Sequence, residues 1–454
     1  MSSARTPIRH PDVGSAPVMT KRAWWLVVLN FVLPGSAQVL AGSRRLGRFG
    51  LRLTLTLLTL AVVAGVVYVL WPAVVLTVFT NSIGLWAVAL LLAFSGVVWL
   101  ILSLDTLRLV RLVRATPKAR PIIAGFATVL MVGVVGTAGY GAYVATTASG
   151  FLSSVFVAGP TEPPSDGRYN ILLLGGDAGP DREGLRPDSI SVVSIDAETG
   201  QASMIGLPRN LEDVPFPADS PLASVYPEGY GSIDGCEVSA CMLNSIYTEV
   251  ELKSPEMYPD AVDQGSEPGI EGMRDAAEGV TGLTIQYYVL IDMQGFSELI
   301  DALGGVDINV DHRVPVHTDE TFSEVAFWFE PGMQHMDGFH ALWYARSRHD
   351  TSDYDRMVRQ RQVQEAILQQ ASPANVLTKF QAIATAGSQV VKTDIPQGML
   401  GYFVDLASKT KALPIQSVEL VPENDIDPED PDYDVIRSLI ETALAPPPTA
   451  EPAS

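Results

Sequence analysis

Asp177, Arg186 and Asp188 stand around a glycine-rich turn in the stretch NILLLGGDAGPDREGLRPDSISVVSID, residues 170–196. Two carboxylates can hold a hard divalent ion that keeps water and phosphate oxygens in its remaining positions. An arginine beside them can hold the phosphate directly. Gly175, Gly176 and Gly179 allow backbone N–H groups to approach an anion. The spacing is neither the dinucleotide fingerprint nor the nucleoside-triphosphate loop, since the G-x-G-x-x-G pattern and the terminal Lys-Ser/Thr are absent. Arg209 follows Pro208 at the end of an apolar strand, where its five-donor fork can reach a cleft. The densest cluster is YARSRHDTSDYDRMVRQRQ, residues 344–362. Arg346 and Arg348 fall at the end of one expected helix, and Asp353 just before the next. Arg356 and Gln360, four apart, share a face with Val363, whereas Arg359 and Arg361 point elsewhere. Plainer roles exist for each: turn-former for Asp177, surface ion pair for Arg209, helix cap for Asp353, solvated face for the arginines. Taken together, the set points to phosphate or pyrophosphate binding with a divalent ion. Lone His349 has no His or Cys partner at a useful spacing, so zinc hydrolysis is unsupported.

These residues need a sheet and helices to hold them. YNILLLGG, SISVVSID, ASMIGLPRN, IQYYVLID, GGVDINVD and IQSVEL read as strands. CMLNSIYTEV, MQGFSELIDAL, DGFHALWYARSR and YDRMVRQRQVQEAILQQA read as helices, with weaker helices at 375–388 and 397–408. The alternation predicts an α/β domain, a central mixed β-sheet flanked by helices. The tail from 443 to 454, APPPTAEPAS at its end, is expected to be disordered.

Charge is divided unevenly. Residues 1–120 carry 13 Lys/Arg against two acids, Asp12 and Asp105, a net of +11; residues 121–454 carry 17 against 49, a net of −32. Apolar runs at about 24–43, 51–72, 84–104 and 121–143 have lengths near those that cross a bilayer as helix. The basic loops at 44–52 and 108–120 belong in the cytoplasm by the positive-inside tendency. That places everything after residue 143 outside, and leaves the basic loops facing anionic membrane lipids. The first run contains Pro34, Gly35, Ser36 and Gln38, so it is either a broken, re-entrant segment beside three spans or the first of four. The expected organisation is a cytoplasmic tail at 1–23, a membrane region at 24–143, an exposed linker at 144–168 and a folded domain at 169–442. Cys236 and Cys241, the only cysteines, lie in the outer part, where a local disulfide persists; two unrelated thiols are the other reading. A net of −32 argues against nucleic acid as a partner.

Over residues 169–372 the chain resembles the LytR-CpsA-Psr family of membrane-anchored enzymes that attach phosphate-linked glycopolymers to bacterial cell wall. The motifs carrying the resemblance are NILLLGGDAG, RPDSISVVSID, GLPRN, LNSIY, YYVLIDMQGFSELIDALGGVDINV and GMQHMDGFHALWYARSRHDTSDYDRMVRQRQ. The resemblance implies magnesium, with manganese as an alternative, held at Asp177 and Asp188. It places Arg186, Arg209, Arg346, Arg348, Arg356 and Gln360 around a diphosphate, with Arg209, Arg346, Arg348 and Asp353 catalytic, and an apolar pocket between sheet and helices for a polyprenyl tail. The implied reaction moves a glycopolymer from polyprenyl diphosphate to a peptidoglycan hydroxyl, with arabinogalactan one candidate polymer. A lipid-pyrophosphate binding module and an extracytoplasmic pyrophosphatase are the alternatives. Pro187, Asn210 and Cys241 depart from the family's usual Ser, Asp and basic residue.

Overall fold

The first apolar run is two helices rather than one. In a computed structural model that describes residues 8–9, 11–157, 159–177, 186–232, 235–316, 324–347, 352–370 and 391–445, the chain divides into two units, Met1–Gly150 and Phe151–Ser454. In the first, α1 (Ala16–Val32) stops two residues before Pro34, as the restriction on the residue preceding proline requires, and α2 (Ser36–Ala41) restarts after Gly35. Gly35 has φ +98°, and a Cβ there would lie 2.5 Å from the Leu51 amide nitrogen, so only glycine fits the turn. The backbone groups freed by the break find partners inside the protein. Ser36 Oγ donates to Leu29 O at 2.7 Å, and Thr54 Oγ1 to Pro34 O at 3.2 Å. Buried Gln38 donates to Leu102 O and Thr106 Oγ1. Irregular backbone at membrane depth is tolerated on these terms.

The unit continues with α3 (Arg44–Leu70), α4 (Pro72–Phe79), α5 (Ser82–Val110) and α6 (Ala119–Val155). Among the described residues, three helices, Arg44–Leu70, Ser82–Arg114 and Ala119–Val155, are long and apolar enough to cross a membrane.

The segment 144–168, expected as an exposed linker, is different. It is helix through Val155, and the chain beyond is fastened to the second unit. Gln397 N donates to Val157 O at 3.0 Å, and Gln397 Nε2 to the Leu152 and Phe156 carbonyls. Farther on, Glu162 N donates to Tyr287 Oη at 2.9 Å. Its Pro, Ser and Gly content signalled turns, which it has, but these turns run along the domain instead of away from it.

The second unit is built on β1 (Arg168–Asp177), β2 (Arg186–Asp196), β3 (Ala202–Gly206), β4 (Tyr287–Asp292), the short pieces β5 (Val306–Val310), β6 (Val314–Val316), β7 (Phe327–Phe329) and β8 (Gly332–Met336), then β9 (Val391–Thr393) and β10 (Gln416–Glu419). The helices between them are α7 (Pro221–Val225), α8 (Ile246–Lys253), α9 (Pro268–Thr281), α10 (Met293–Leu303), α11 (Gly338–Arg346), α12 (Asp353–Gln370), α13 (Leu400–Thr410) and α14 (Tyr433–Leu444). Six strands form one sheet in the order β10-β3-β2-β1-β4-β9, parallel at β10/β3 and β1/β4 and antiparallel elsewhere. This is the expected mixed sheet flanked by helices.

Alternation along the strands divides the sheet's two faces. Leu172, Leu174, Ile190, Val192 and Ile205 are buried with Ile246 and Val250 of α8, Ile270, Met273 and Val280 of α9, and Ile436 and Ile440 of α14. A second cluster joins Ile300 of α10, Val306 and Ile308 of β5, Ala341 and Tyr344 of α11, and Val363 and Ala366 of α12. A Cβ on Gly338 would come within 1.9 Å of Ser297 O, so glycine is what lets α11 start against α10. Sequence reading missed α9 inside an acidic, glycine-rich stretch. Ile270, Met273, Ala277 and Val280 nonetheless recur at helical spacing and form its buried face. The helix expected at 375–388 and the tail from 446 lie outside the described residues.

Candidate functional site

A bulge at Asp188 sets the site. In the β1/β2 ladder Gly175 pairs with Ser189 but Gly176 pairs with Pro187, leaving Asp188 as the extra residue. A bulge of this kind re-aims a side chain that strict alternation would send to the opposite face. Asp188, Ser189 and Ser191 therefore all line one cleft, while Ile190 between them enters the core. Gly175 opposite is already close, since a Cβ there would meet Ser189 Cβ at 3.0 Å. Met204 and Gly206 of β3 continue the same wall.

Arg209 closes one end. Its Nη1 donates to Asp188 Oδ1 at 2.6 Å, with the two side chains 27% and 25% exposed, so the pair is reachable from solvent. The turn carrying Arg209 is fixed on both sides. Leu207 N donates to Ile190 O at 2.9 Å; Asn244 N donates to Arg209 O at 3.0 Å, which fastens Arg209 to the start of the LNSIY segment.

The other wall is α12, through Arg356, Met357, Gln360, Arg361 and Gln364. Arg356 is only 2% exposed. Arg361 was expected to point away, yet it lines the cleft because Glu419 at the end of β10 binds its guanidinium, with Glu365 one turn on. Burial lowers the Arg361 pKa, opposed by Glu365. Among the described lining residues, three guanidinium groups face two carboxylates, Asp188 and Glu419. This surplus sits in a part of the chain whose net charge is −32. Ser191 Oγ is buried in the cleft with no hydrogen-bond partner among the described residues, which leaves a hydroxyl able to donate to an anion there.

Arg359, 4% exposed, was read as pointing elsewhere and is in fact structural. Its Nε donates to Tyr344 O at 3.1 Å and its Nη2 to Ser347 O, so it ties the end of α11 to α12. Arg356 and Arg359 are both buried on α12, and the facing end of α11 is what gives Arg359 its role.

The structure thus brings together Asp188, Arg209, Arg356 and Gln360. It does not bring Arg346 into their cleft: that side chain is exposed at the end of α11, its guanidinium 5.2 Å from the Trp343 ring centroid. With Arg359 holding the α11 terminus by its carbonyls, Arg346 is left on the outer face. Arg186, at the start of β2, stands near Tyr230, whose pKa is raised by burial and by its bond to Glu249 and is opposed by the Arg186 charge. Arg348 and the side chains of Asp177 and Asp353 lie outside the described residues; the Asp177 backbone is opposite Arg186 in the ladder.

Beside this region a disulfide joins Cys236 and Cys241, with 5.6 Å between their Cα atoms. The neighbouring Glu249 is buried and was not singled out from sequence. It accepts hydrogen bonds from Tyr226 Oη, from Tyr230 Oη at 2.7 Å and from Glu237 N at 3.1 Å.

Among the described residues no group of three or more His, Cys, Asp or Glu is placed to hold a metal ion. Magnesium needs fewer: it is commonly held by one or two carboxylates together with substrate phosphates and water. Asp188, lifted out of the ladder and partly exposed, is one carboxylate of that kind; the side chain of Asp177 lies outside the described residues.

A sheet-and-helix domain with a basic cleft, following membrane helices, defines a class, and the comparisons agree with it. Residues 154–431 match the LytR_cpsA_psr family, and the chain belongs to that family. Among characterised relatives it is similar to the cell wall biosynthesis protein LcpA of Corynebacterium glutamicum, 28% identical over 254 residues that cover 51% of this chain and 45% of that protein. It is also similar to the polyisoprenyl-teichoic acid–peptidoglycan teichoic acid transferase TagU of Enterococcus faecalis, 29% identical over 50% of this chain and 61% of the relative. The matched region is thus less than two thirds of either relative's length. Among solved structures, TagV of B. subtilis aligns with 62% of this chain and 96% of its own, at 21% identity and a TM-score of 0.43. The chain is a multi-pass membrane protein with its large C-terminal domain on the extracytoplasmic side, the arrangement that the basic cytoplasmic loops and three crossing helices require.

Proposed function

We propose that the protein transfers a phosphate-linked glycopolymer from a polyprenyl diphosphate carrier to a peptidoglycan hydroxyl, releasing polyprenyl phosphate. The observation that carries this reading is the convergence of bulged Asp188, Arg209, buried Arg356 and Gln360 on one cleft, in an outward-facing domain of this family. The named activities of the relatives, cell wall biosynthesis and teichoic acid transfer to peptidoglycan, support the class of reaction.

In this proposal Arg209, Arg356 and Gln360 hold the diphosphate oxygens, and the Ser189 and Ser191 hydroxyls donate from the sheet side. Magnesium at Asp188 and Asp177 would supply charge neutralisation for the phosphoryl oxygens and the leaving group. Arg209, which binds Asp188, would also hold the phosphate, so one guanidinium would link the carboxylate that would hold magnesium to the substrate. The acceptor hydroxyl oxygen bonds to the sugar-proximal phosphorus, its proton passes to solvent, and the bond from that phosphorus to the bridging oxygen breaks, the electron pair staying on the bridging oxygen, which leaves as part of polyprenyl phosphate. Fixed donors stabilise the developing charge because they need not reorganise as mobile water does. Arg346 guards the approach from the outer end of α11. For the lipid tail, Leu173 of β1, Val193 and Ile195 of β2 and Val289 and Ile291 of β4 are half-buried apolar residues at alternate positions on the strands.

The test is purified full-length protein in lipid nanodiscs with magnesium, lipid-linked glycopolymer and peptidoglycan. Multiple-turnover attachment supports the transferase. Release of phosphate products with no attachment assigns a pyrophosphatase, and binding without turnover assigns a recognition module; either result overturns the proposal.

A further inference from the structure

The outer face of α11 carries an aromatic ledge that the diphosphate cleft does not use. Phe339, 47% exposed, and Trp343 one turn later lie on one side of the helix, with ring centroids 6.2 Å apart and planes at 60°. Phe327 of β7 supports the ledge at 6.3 Å from Phe339, and the His340 ring lies 5.4 Å from Phe339. Trp343 is anchored from below by packing on the cluster around Tyr344 and Val363. Arg346, stacked on Trp343, ends the stripe. Polar groups border the rings: His340 Nδ1 lies 2.6 Å from Asp337 Oδ1, and both side chains are about half exposed.

We propose that this ledge is the docking surface for a glycan strand, placing the acceptor of the transfer reaction on α11. The inference rests on the transferase reading above and supplies its second substrate. A pyranose ring has an apolar C–H face and a rim of hydroxyls. Two rigid rings bordered by a carboxylate, an imidazole and a guanidinium match both parts, since aromatic side chains offer contact area at a fixed geometry and the border groups can bond to hydroxyls. The ledge and the cleft are carried by joined helices: α11 ends at Arg346, Ser347 follows, and Arg359 holds that end against the helix carrying Arg356 and Gln360. A lipid surface fits poorly, because Asp337 stands among the rings and the outer part of the chain, with its net of −32, is repelled by anionic headgroups. A protein partner would need more apolar area than two side chains present.

The experiment uses full-length protein in neutral-lipid nanodiscs and, as probe, a soluble uncrosslinked oligomer of alternating N-acetylglucosamine and N-acetylmuramic acid. Affinity is measured by calorimetry. Phe339→Ala should weaken oligomer binding about threefold to tenfold, and Trp343→Ala similarly, the scale of one aromatic contact. Phe339 is the decisive position, because its exposed ring can be removed without opening the core; Trp343→Phe should retain most of the affinity. Lipid-diphosphate affinity should stay unchanged in all three. Equal oligomer affinity in wild type and Phe339→Ala overturns the ledge, as does a loss confined to binding of anionic vesicles. Loss of lipid-diphosphate binding in Arg356→Ala reports separately on the cleft, so oligomer binding that depends on Phe339 in a protein with no transfer activity would keep the ledge while rejecting the transferase.

Discussion

Arg356 and Arg359 are both almost fully buried on one helix, yet their removal should have opposite consequences. Arg359 serves the carbonyls of Tyr344 and Ser347, two acceptors at a buried helix end. Arg359→Ala leaves both without that donor, and an unsatisfied buried acceptor costs about 1 to 3 kcal/mol. Water entering the vacated space recovers part of this, so a net loss of about 2 to 4 kcal/mol is expected. A domain of this size moves by about 2 °C per kcal/mol, which gives a fall in apparent Tm of about 4 to 8 °C. Arg356 faces the cleft with Gln360 and Ser191. Its loss should cost the bound phosphate a charge-assisted bond worth about 1.5 to 3 kcal/mol, roughly tenfold to more than a hundredfold in affinity. Thermal unfolding of the full chain in nanodiscs and lipid-diphosphate titration at matched folded concentration give the two readouts. If Arg356→Ala lowers Tm as far as Arg359→Ala and leaves diphosphate affinity intact, the division of roles is wrong. Equal losses of affinity in both variants with unchanged Tm would also refute it.

Asp188→Asn should raise the magnesium concentration needed for half-maximal turnover by about tenfold or more while Tm changes little, because Asp188 is a bulge residue at a partly exposed pair; a magnesium titration of the variant checks this. The paired substitution Cys236→Ser with Cys241→Ser should lower stability by about 2 kcal/mol, the chain-entropy value for a loop this short, seen as a lower denaturant midpoint. Glu278 has its pKa raised from 4.5 to about 6, chiefly by burial and against the hydrogen bond from Ile285 N. A carboxyl raised in the folded state contributes stability that is present below 4.5 and lost as pH rises through about 6. Glu278→Gln should therefore flatten the stability curve across that window, measured by urea midpoints; an unchanged slope would remove Glu278 as its source.

Much of this architecture was legible in the sequence because period and burial coincide. The strands around Leu172, Val192 and Ile205 are short apolar runs that enter the core, and the buried face of α12 repeats at helical spacing. Asp188 and Arg209 could be named as candidates from their types, but the bulge that turns Asp188 into the cleft depends on the register of a partner strand. No local spacing encodes that register. Arg361 depends on tertiary context in a related way: its helical angle differs from that of Arg356, and Glu419, distant in sequence, holds its long side chain at the cleft. Arg346 shows the opposite case. Its neighbours suggested a shared collar, whereas the fold pins the carbonyls at the end of α11 and leaves the guanidinium outside, against Trp343.

The buried seam of α12 shows how the same helix serves core and site. Arg356, Arg359, Val363 and Ala366 recur at spacings of three and four, the pattern of a core-facing stripe. Its second half is apolar and completes the cluster around Ile308 and Tyr344. Its first half replaces two core residues with guanidinium groups, and burying such charge is costly unless partners repay it. Arg359 is repaid inside the protein by backbone carbonyls, which converts the cost into a fixed joint between α11 and α12. Arg356 lies one turn earlier, where the seam meets the sheet beside Asp188, Ser191 and Arg209. If Arg356 holds the diphosphate as proposed, a joint immediately behind it removes freedom that would otherwise be lost when the anion binds, and that preorganisation would offset the cost of placing two of the domain's few arginines on a single buried stripe.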